Sequence, residues 1–401
     1  MFERILQVES LSGNEAKAQG HLLWKVIDAI IRLRNQESHD FDYVGNLEEN
    51  FNVIRKSIPK LKDTLGESSL EVLQARYRLA IFALALNNQD VLGDLVALLS
   101  SPDQEVSNYS LSLLEELAIR LYSFERYQFA SQLLTASCLM REKIYGYWES
   151  APKERVDHQC KSLNMLAGCQ LKMNMLTDCE QTLETCFALR VKYFGEDDPS
   201  LAPLYLNYGV YNLTINKDQD AQSFLEKSIR LYDAQDTPNK QSDLAEASAC
   251  FYLSQALYRA KNIEAASNNM KRCLDLRRKH VHGDHVDIAV ALQELSLLFL
   301  LLKKKDESLI SIREAVSMME RIFHGRQNPL TLECLQKYVH ILTSLGMFKE
   351  ALESLEKIVE VAEAQLPASQ RKLVLNQYAS LLFQQKRFEE AKAISQQLLT
   401  L

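Results

Sequence analysis

The chain carries apolar residues at the three- and four-residue spacing of amphipathic α-helices. Clear examples are LEVLQARYRLAIFALAL (70–86) and LQKYVHILTSLGMFKEALESLEKIVEV (335–361). Prolines at positions 199, 238, 329 and 367 fall at or near the starts of helices, and the pattern predicts consecutive helix pairs. These pairs are expected at about 103–145, 154–194, 200–233, 242–281, 286–323, 329–365 and 368–400.

Small residues recur in pairs twelve positions apart. The second members, with Ala351 included, follow one another at steps of 49, 42, 45, 42, 43 and 40 residues. Such a pair fits a helix–turn–helix unit in which a large side chain would force the two antiparallel helices apart. The pairs are Ala118/Ala130, Ala167/Cys179, Gly209/Ala221, Ser254/Ala266, Ser296/Ser308 and Ala379/Ala391.

A third column of small residues follows seven positions after the second. It reads Ser137, Cys186, Ser228, Cys273 and Ala315. The column fails at Ile358 and Leu398, and Val339 stands where the seventh unit needs its first small residue. The pattern therefore predicts a repeat with some degenerate positions.

Composition supports an all-α fold. The chain has 401 residues with only 12 Gly and 8 Pro, which is too few for the many tight turns of a β-sandwich or barrel. We expect an N-terminal helical region at 1–100, either degenerate repeats or a cap, and a repeat array of about seven helix pairs at 103–401.

Charge, hydropathy and cysteine content indicate the cellular location of the protein and its classes of partner. A net charge of −7 gives no basic field for nucleic acid. The most apolar stretch, 295–302, is too short to cross a bilayer, and the N-terminus lacks a signal-peptide pattern. Eight cysteines without a CxxC motif are typical of reduced thiols. We therefore predict a cytoplasmic protein with no nucleic-acid partner and no membrane insertion.

Enzyme signatures are missing from the sequence: it contains no phosphate-binding loop, GxGxxG, HExxH or GxSxG motif. Three histidines with Cys273 upstream (His280, His282 and His285) have the chemistry of zinc or copper ligands, but a helix end and an inter-repeat loop are the favoured explanation. The basic runs 277–279 and 303–305 fit either an acidic partner or ordinary helix ends. We predict no catalysis, no metal and no cofactor.

Several motifs resemble the tetratricopeptide repeat. The unit at 335–361 has Leu342, Gly346, Phe348 and Ala351 at positions which that family favours, and 380–399 is a second match. The period of about 42 and the loops at 194–200, 282–288 and 324–330 resemble the longer variant of kinesin light chains. Over roughly 105–400, the resemblance implies a right-handed superhelical α-solenoid whose concave groove is lined by the first helix of each pair.

The same resemblance implies which positions of each unit face the groove and are therefore candidates for peptide binding. With the first small residue counted as position eight, position five is an amide in four of the last six units, and amides can both donate to and accept from a peptide backbone. An apolar patch is expected from Leu297, Leu300 and Leu301. The alternative is a solvated polar surface. The candidates are Lys161, Asn164, Lys172, Asn207, Gln255, Tyr258, Arg259, Gln293, Gln336, His340 and Asn376.

Three functions fit these observations. The first is a non-catalytic scaffold or adaptor whose groove binds peptide segments of partner proteins, acidic ones with an apolar anchor. The second is a structural subunit of a larger complex, bound through its convex face or its C-terminal end, where self-association is also possible. The third is a ligand-gated helical-repeat sensor.

Overall fold

The computed structural model describes residue 48, some residues between 51 and 63, and the ranges 70–100, 108–145, 151–235, 237–323, 328–365 and 368–400. Every regular element in these ranges is a helix, which confirms the all-α helical-repeat fold. Most of the predicted region 1–100, including all of 1–47, and the loop at 324–327 lie outside the described residues. Contacts divide the chain into an N-terminal unit, Met1–Asp198, and a C-terminal unit, Pro199–Leu401.

The described part of the N-terminal unit stacks three antiparallel helix pairs. Its core runs from Phe51 to Cys169 without interruption. The pair α1/α2 belongs to the N-terminal region for which the sequence predicts either degenerate repeats or a cap. Which of the two it is stays a prediction. The helices are α1 (Leu70–Ala85), α2 (Gln89–Leu99), α3 (Asn108–Ser123), α4 (Tyr127–Tyr145), α5 (Lys153–Lys172) and α6 (Leu176–Phe194).

The C-terminal unit stacks five pairs around one core that extends from Leu213 to Ala391. Each helix packs against the next along the chain, as a repeat stack requires. A short 3₁₀ turn (Pro199–Leu201) precedes the first pair. The helices are α7 (Ala202–Thr214), α8 (Asp218–Asp233), α9 (Lys240–Arg259), α10 (Ile263–His280), α11 (Val286–Leu301), α12 (Lys305–Ile322), α13 (Pro329–Ser344), α14 (Phe348–Gln365), α15 (Ala368–Gln384) and α16 (Phe388–Thr400).

Side-chain caps fix several helix starts. The Asn239 side chain accepts from the backbone N–H of Ser242, and Ser242 Oγ accepts in turn from the N–H of Asn239. This capping box begins α9 at Lys240. Asn262, His285 and Asn328 cap α10, α11 and α13 through single hydrogen bonds.

The turn inside each pair has one left-handed residue. The first column is the position of the first small residue of each pair, such as Ser254 or Ser296. In all eight described pairs, the residue seven positions after it has a positive φ. In the turn after α11, Lys303 has φ 61°, and Lys304 N–H donates to the Phe299 carbonyl at 2.9 Å. This bond closes the helix end and reverses the chain after a fixed number of residues. The left-handed residues are Asn87, Glu125, Asn174, Asn216, Lys261, Lys303, Gly346 and Lys386.

The small-residue columns lie where the two helices of a pair meet. Ser254 Oγ donates to the Ala266 carbonyl, and Ser308 Oγ donates to the Ser296 carbonyl, both at 2.8 Å. Because a side-chain hydroxyl reaches the backbone of the facing helix, no larger side chain fits between them. The third column behaves likewise, with Ser228 Oγ bonded to the Ala202 carbonyl at 2.7 Å.

All eight cysteines are free and buried, several of them in these columns. Burial raises the pKa of the Cys179 and Cys250 thiols to about 12, so both stay protonated at neutral pH. Among the helices in the described ranges, none is both long and apolar enough to cross a bilayer.

Gly209→Ala tests the close approach of paired helices. A Cβ at Gly209 would overlap Leu225 and lie 2.6 Å from its Cδ2. We expect a loss of about 1–2 kcal/mol in unfolding free energy, because overpacking outweighs the better helix propensity of alanine. Urea unfolding followed by circular dichroism measures the change.

Gly93→Ala is the matched control, since this helical glycine would place a Cβ 3.6 Å from Phe129, an ordinary contact. It should leave stability unchanged or raise it by about 0.5–1 kcal/mol. Equal effects at both glycines would contradict the role of the small column.

A pair of opposite substitutions tests the left-handed turn position. A Cβ at Gly346 (φ 77°) meets no atom within 4 Å, so Gly346→Ala adds backbone strain alone and should cost about 1 kcal/mol. Lys303→Gly removes that strain and should raise the midpoint of thermal unfolding. Shifts of the same sign in both variants would refute the assignment.

Candidate functional site

The C-terminal unit has a cleft across the first helices of three successive pairs, α9, α11 and α13. Its volume is about 340 Å³. Leu297, Leu300 and Leu301 of α11 form its apolar part. The cleft is lined by Tyr258, Leu297, Leu300, Leu301, Glu333, Gln336, Lys337 and His340.

Repeat register explains why these side chains converge. Tyr258 and Leu300 each lie four residues after the small residue of their helix, Ser254 and Ser296, which is buried against the second helix of the pair. Four residues are slightly more than one helical turn, so both side chains lie beside the buried face of their helix. Tyr258 and Leu301 are 51% and 52% exposed, so both large side chains are open to solvent in the cleft.

A second pocket of about 120 Å³ lies beside the cleft and shares Tyr258 and Leu297 with it. It adds Gln255 of α9 and Glu294 of α11 to the polar lining. An extended chain that follows the cleft would therefore meet amides on both sides, at Gln255 and at Gln336.

One lysine joins the two acidic residues at the site. Lys337 Nζ lies 2.8 Å from Glu294 Oε1 and 3.0 Å from Glu333 Oε1. Burial works against the charge of Lys337, but hydrogen bonds to Glu294 and Glu333 raise its pKa above the ordinary value. Lys337 is therefore charged and already paired at neutral pH.

The structure brings some of the predicted groove residues together and separates others. Tyr258, Gln336 and His340 line the cleft, and Gln255 lines the adjoining pocket. Asn207 is half-buried on α7, and Asn376 is exposed on α15. Lys161, Asn164 and Lys172 lie on α5 of the N-terminal unit, where Lys161 and Lys172 are exposed and Asn164 is half-buried.

Gln293 does not lie on a surface that a peptide could reach. Its residue is only 3% exposed, because α11 packs against neighbours on most of its sides. Position five is thus a groove position in α13, where Gln336 lines the cleft, but a core position in α11.

Two of the basic candidates have intramolecular partners. Lys161 Nζ lies 2.6 Å from Asp157 Oδ2, one turn earlier on the same helix. Arg259 Nη1 donates to the Leu213 carbonyl at 2.9 Å and lies 3.1 Å from Asp218 Oδ1. The charge of the cleft therefore comes from other residues.

The histidine cluster and the basic run that the sequence singled out interact with other residues of the chain. His280 Nε2 lies 2.5 Å from Asp243 Oδ2, and His285 caps α11. No group of metal-ligating side chains is found in the described ranges. The basic run in the last turn of α10 is paired internally: Arg277 bonds the Asp287 carbonyl, and Arg278 and Lys279 bond Glu314 and Asp243.

Sequence reasoning missed the charged residues of the site, Glu294, Glu333 and Lys337. The spacing of Glu333 and Lys337, four residues apart, was a usable signal for neighbours on one helix face. Glu294 lies 43 residues before Lys337, one repeat away, so that this contact follows only from the register of the repeats.

Family models of the tetratricopeptide repeat match two segments of the chain, residues 158–234 and 332–365. The first segment runs from within α5 to the residue after α8, and the second runs from within α13 to the end of α14. No curated protein matches the sequence.

Solved structures share the helical-repeat fold at low identity. A signal transduction ATPase with numerous domains from Pyrococcus horikoshii, which has a tetratricopeptide repeat sensor, is 11% identical over 88% of this chain and 52% of that one, with a TM-score of 0.53. A Rap protein complexed with competence and sporulation factor is 10% identical over 89% of this chain and 97% of its own, with a TM-score of 0.49. A Podosopora anserina kinesin light chain-type protein with nearly identical TPR-like repeats is 15% identical over 51% of this chain and 95% of its own, with a TM-score of 0.44. These identities bear on the fold alone.

The matched segments coincide with helix pairs that share one turn geometry, with a left-handed residue at Asn174, Asn216 and Gly346. The chain therefore contains tetratricopeptide repeats, at residues 158–234 and 332–365.

Proposed function

We propose that the chain is a non-catalytic cytoplasmic scaffold or adaptor that binds an extended segment of a partner protein in the cleft between α9, α11 and α13. The observation that carries this proposal is the half exposure of Tyr258 and Leu301 inside a concave site. Large apolar side chains left in water at a concave, polar-rimmed surface are typical of interaction sites.

The polar lining suits a peptide backbone. Gln255 and Gln336 flank the apolar part, and each amide can donate to a carbonyl and accept from an N–H. Backbone hydrogen bonds of this kind hold an extended chain, while a pocket for its side chain provides specificity. A cleft of about 340 Å³ has room for a few bulky side chains and not for a folded domain.

The double variant Tyr258→Ala/Leu301→Ala tests the site without changing its charge. Removing two half-buried apolar contacts should weaken binding of a partner at least tenfold, since each is worth about 1 kcal/mol or more. Quantitative proximity labelling in native cells identifies the affected partners. Synthetic peptides from those partners are then titrated against the purified full chain.

Ile310→Ala is the matched control. Ile310 is 66% exposed on α12, the second helix of its pair, and does not line the cleft. Partners should be lost in the double variant and kept in the control, with melting curves unchanged in both. The reverse result would reject groove binding in favour of a structural subunit bound through its second helices.

A further inference from the structure

We infer that the segment bound in the cleft carries an arginine or lysine next to its apolar anchor. This inference rests on the proposed function, because it specifies the ligand of the same cleft. It follows from the charges that the structure places around the apolar part of the site.

The charged lining has an excess of negative charge. Glu333 and Lys337 line the cleft, and Glu294 lines the pocket beside it. Both carboxylates contact the ammonium of Lys337, so one positive charge faces two negative ones. An ionised carboxylate has about four acceptor positions, so the single ammonium leaves both with capacity for a further donor.

An acidic ligand would meet an unfavourable site. Lys337 already donates to two carboxylates, and its side chain is 25% exposed. A ligand carboxylate would have to displace one of them and would face repulsion from the other. A ligand cation instead meets Glu333, whose side chain is 56% exposed and accessible from the cleft.

The neighbouring cations do not reverse this balance. Arg259 follows Tyr258 on α9 but is paired with Asp218. Lys303 and Lys304 are exposed in the turn after α11 and are outside the lining of the cleft. His340 also lines the cleft, on the exposed side of α13.

Tyr258 adds a second reason to expect a cation. Its ring is half-exposed at the cleft, and a guanidinium or ammonium over an aromatic face is attracted by the ring quadrupole. An arginine can bond a carboxylate through two N–H groups while its plane stacks on a ring. Of the basic candidates that favour an acidic ligand, Lys161, Lys172 and Arg259 do not line the cleft, whereas His340 does.

Selection from a phage library of random dodecapeptides tests the inference on the purified full chain. Phage that bind the Tyr258→Ala/Leu301→Ala variant are removed first, so the retained peptides depend on the cleft. We expect enriched sequences with a bulky apolar residue and an arginine or lysine within a few positions. Enrichment of acidic peptides would overturn the inference and leave groove binding intact. If no peptide depends on Tyr258 and Leu301, the proposed function itself is rejected.

Glu333→Gln then tests the charge contact with a selected peptide. The variant keeps the size of the side chain, and it should weaken binding roughly three- to tenfold and reduce the sensitivity of binding to salt. Glu353→Gln, at an exposed position of α14, should change neither. Equal affinities of the Glu333 variant and the wild type for a cationic peptide would refute the contact.

Discussion

Close contact between the two helices of each pair is the constraint on which the rest of this fold depends. Hydroxyls of Ser254 and Ser308 bond backbone carbonyls of the facing helix, and a Cβ at Gly209 would overlap Leu225. Such contact is possible only if the chain reverses after a fixed number of residues. The left-handed residue in the turn of every described pair provides that reversal, and the bond from the third residue after each first helix closes it.

This constraint also places the candidate site. Since the small residues hold one side of α9 and α11 against their partners, the side chains one turn later stay partly in water. The same position carries a buried Leu213 in α7, a half-buried Thr343 in α13 and an exposed Phe383 in α15. In α9 and α11 it carries Tyr258 and Leu300, and α13 supplies a polar edge. A local sequence difference within a regular repeat thus creates a cleft with its own chemistry.

Much of the fold follows from the sequence, because small residues at a fixed spacing mark the positions where two helices contact each other. The spacing predicted a pair at 242–281, and the structure has α9 and α10 at Lys240–Arg259 and Ile263–His280. The pair α1/α2 was harder to place, since Leu92 occupies its second column position. The left-handed conformation of Glu125 and Lys303 could not be predicted from the sequence, because neither residue type favours a positive φ. Within the site, Gln336 and Tyr258 follow from the register, whereas burial of Gln293 depends on packing around α11 that no local pattern shows.

Site-specific photocrosslinking in native cells tests the central claim most directly. A photoreactive amino acid replaces His340 in the cleft and, in a second protein, Ile310 on α12. The account predicts that position 340 crosslinks to a short, defined segment of a partner, which mass spectrometry locates around an apolar residue, and that position 310 does not. Crosslinks to partners from position 310 with none from position 340 would contradict it.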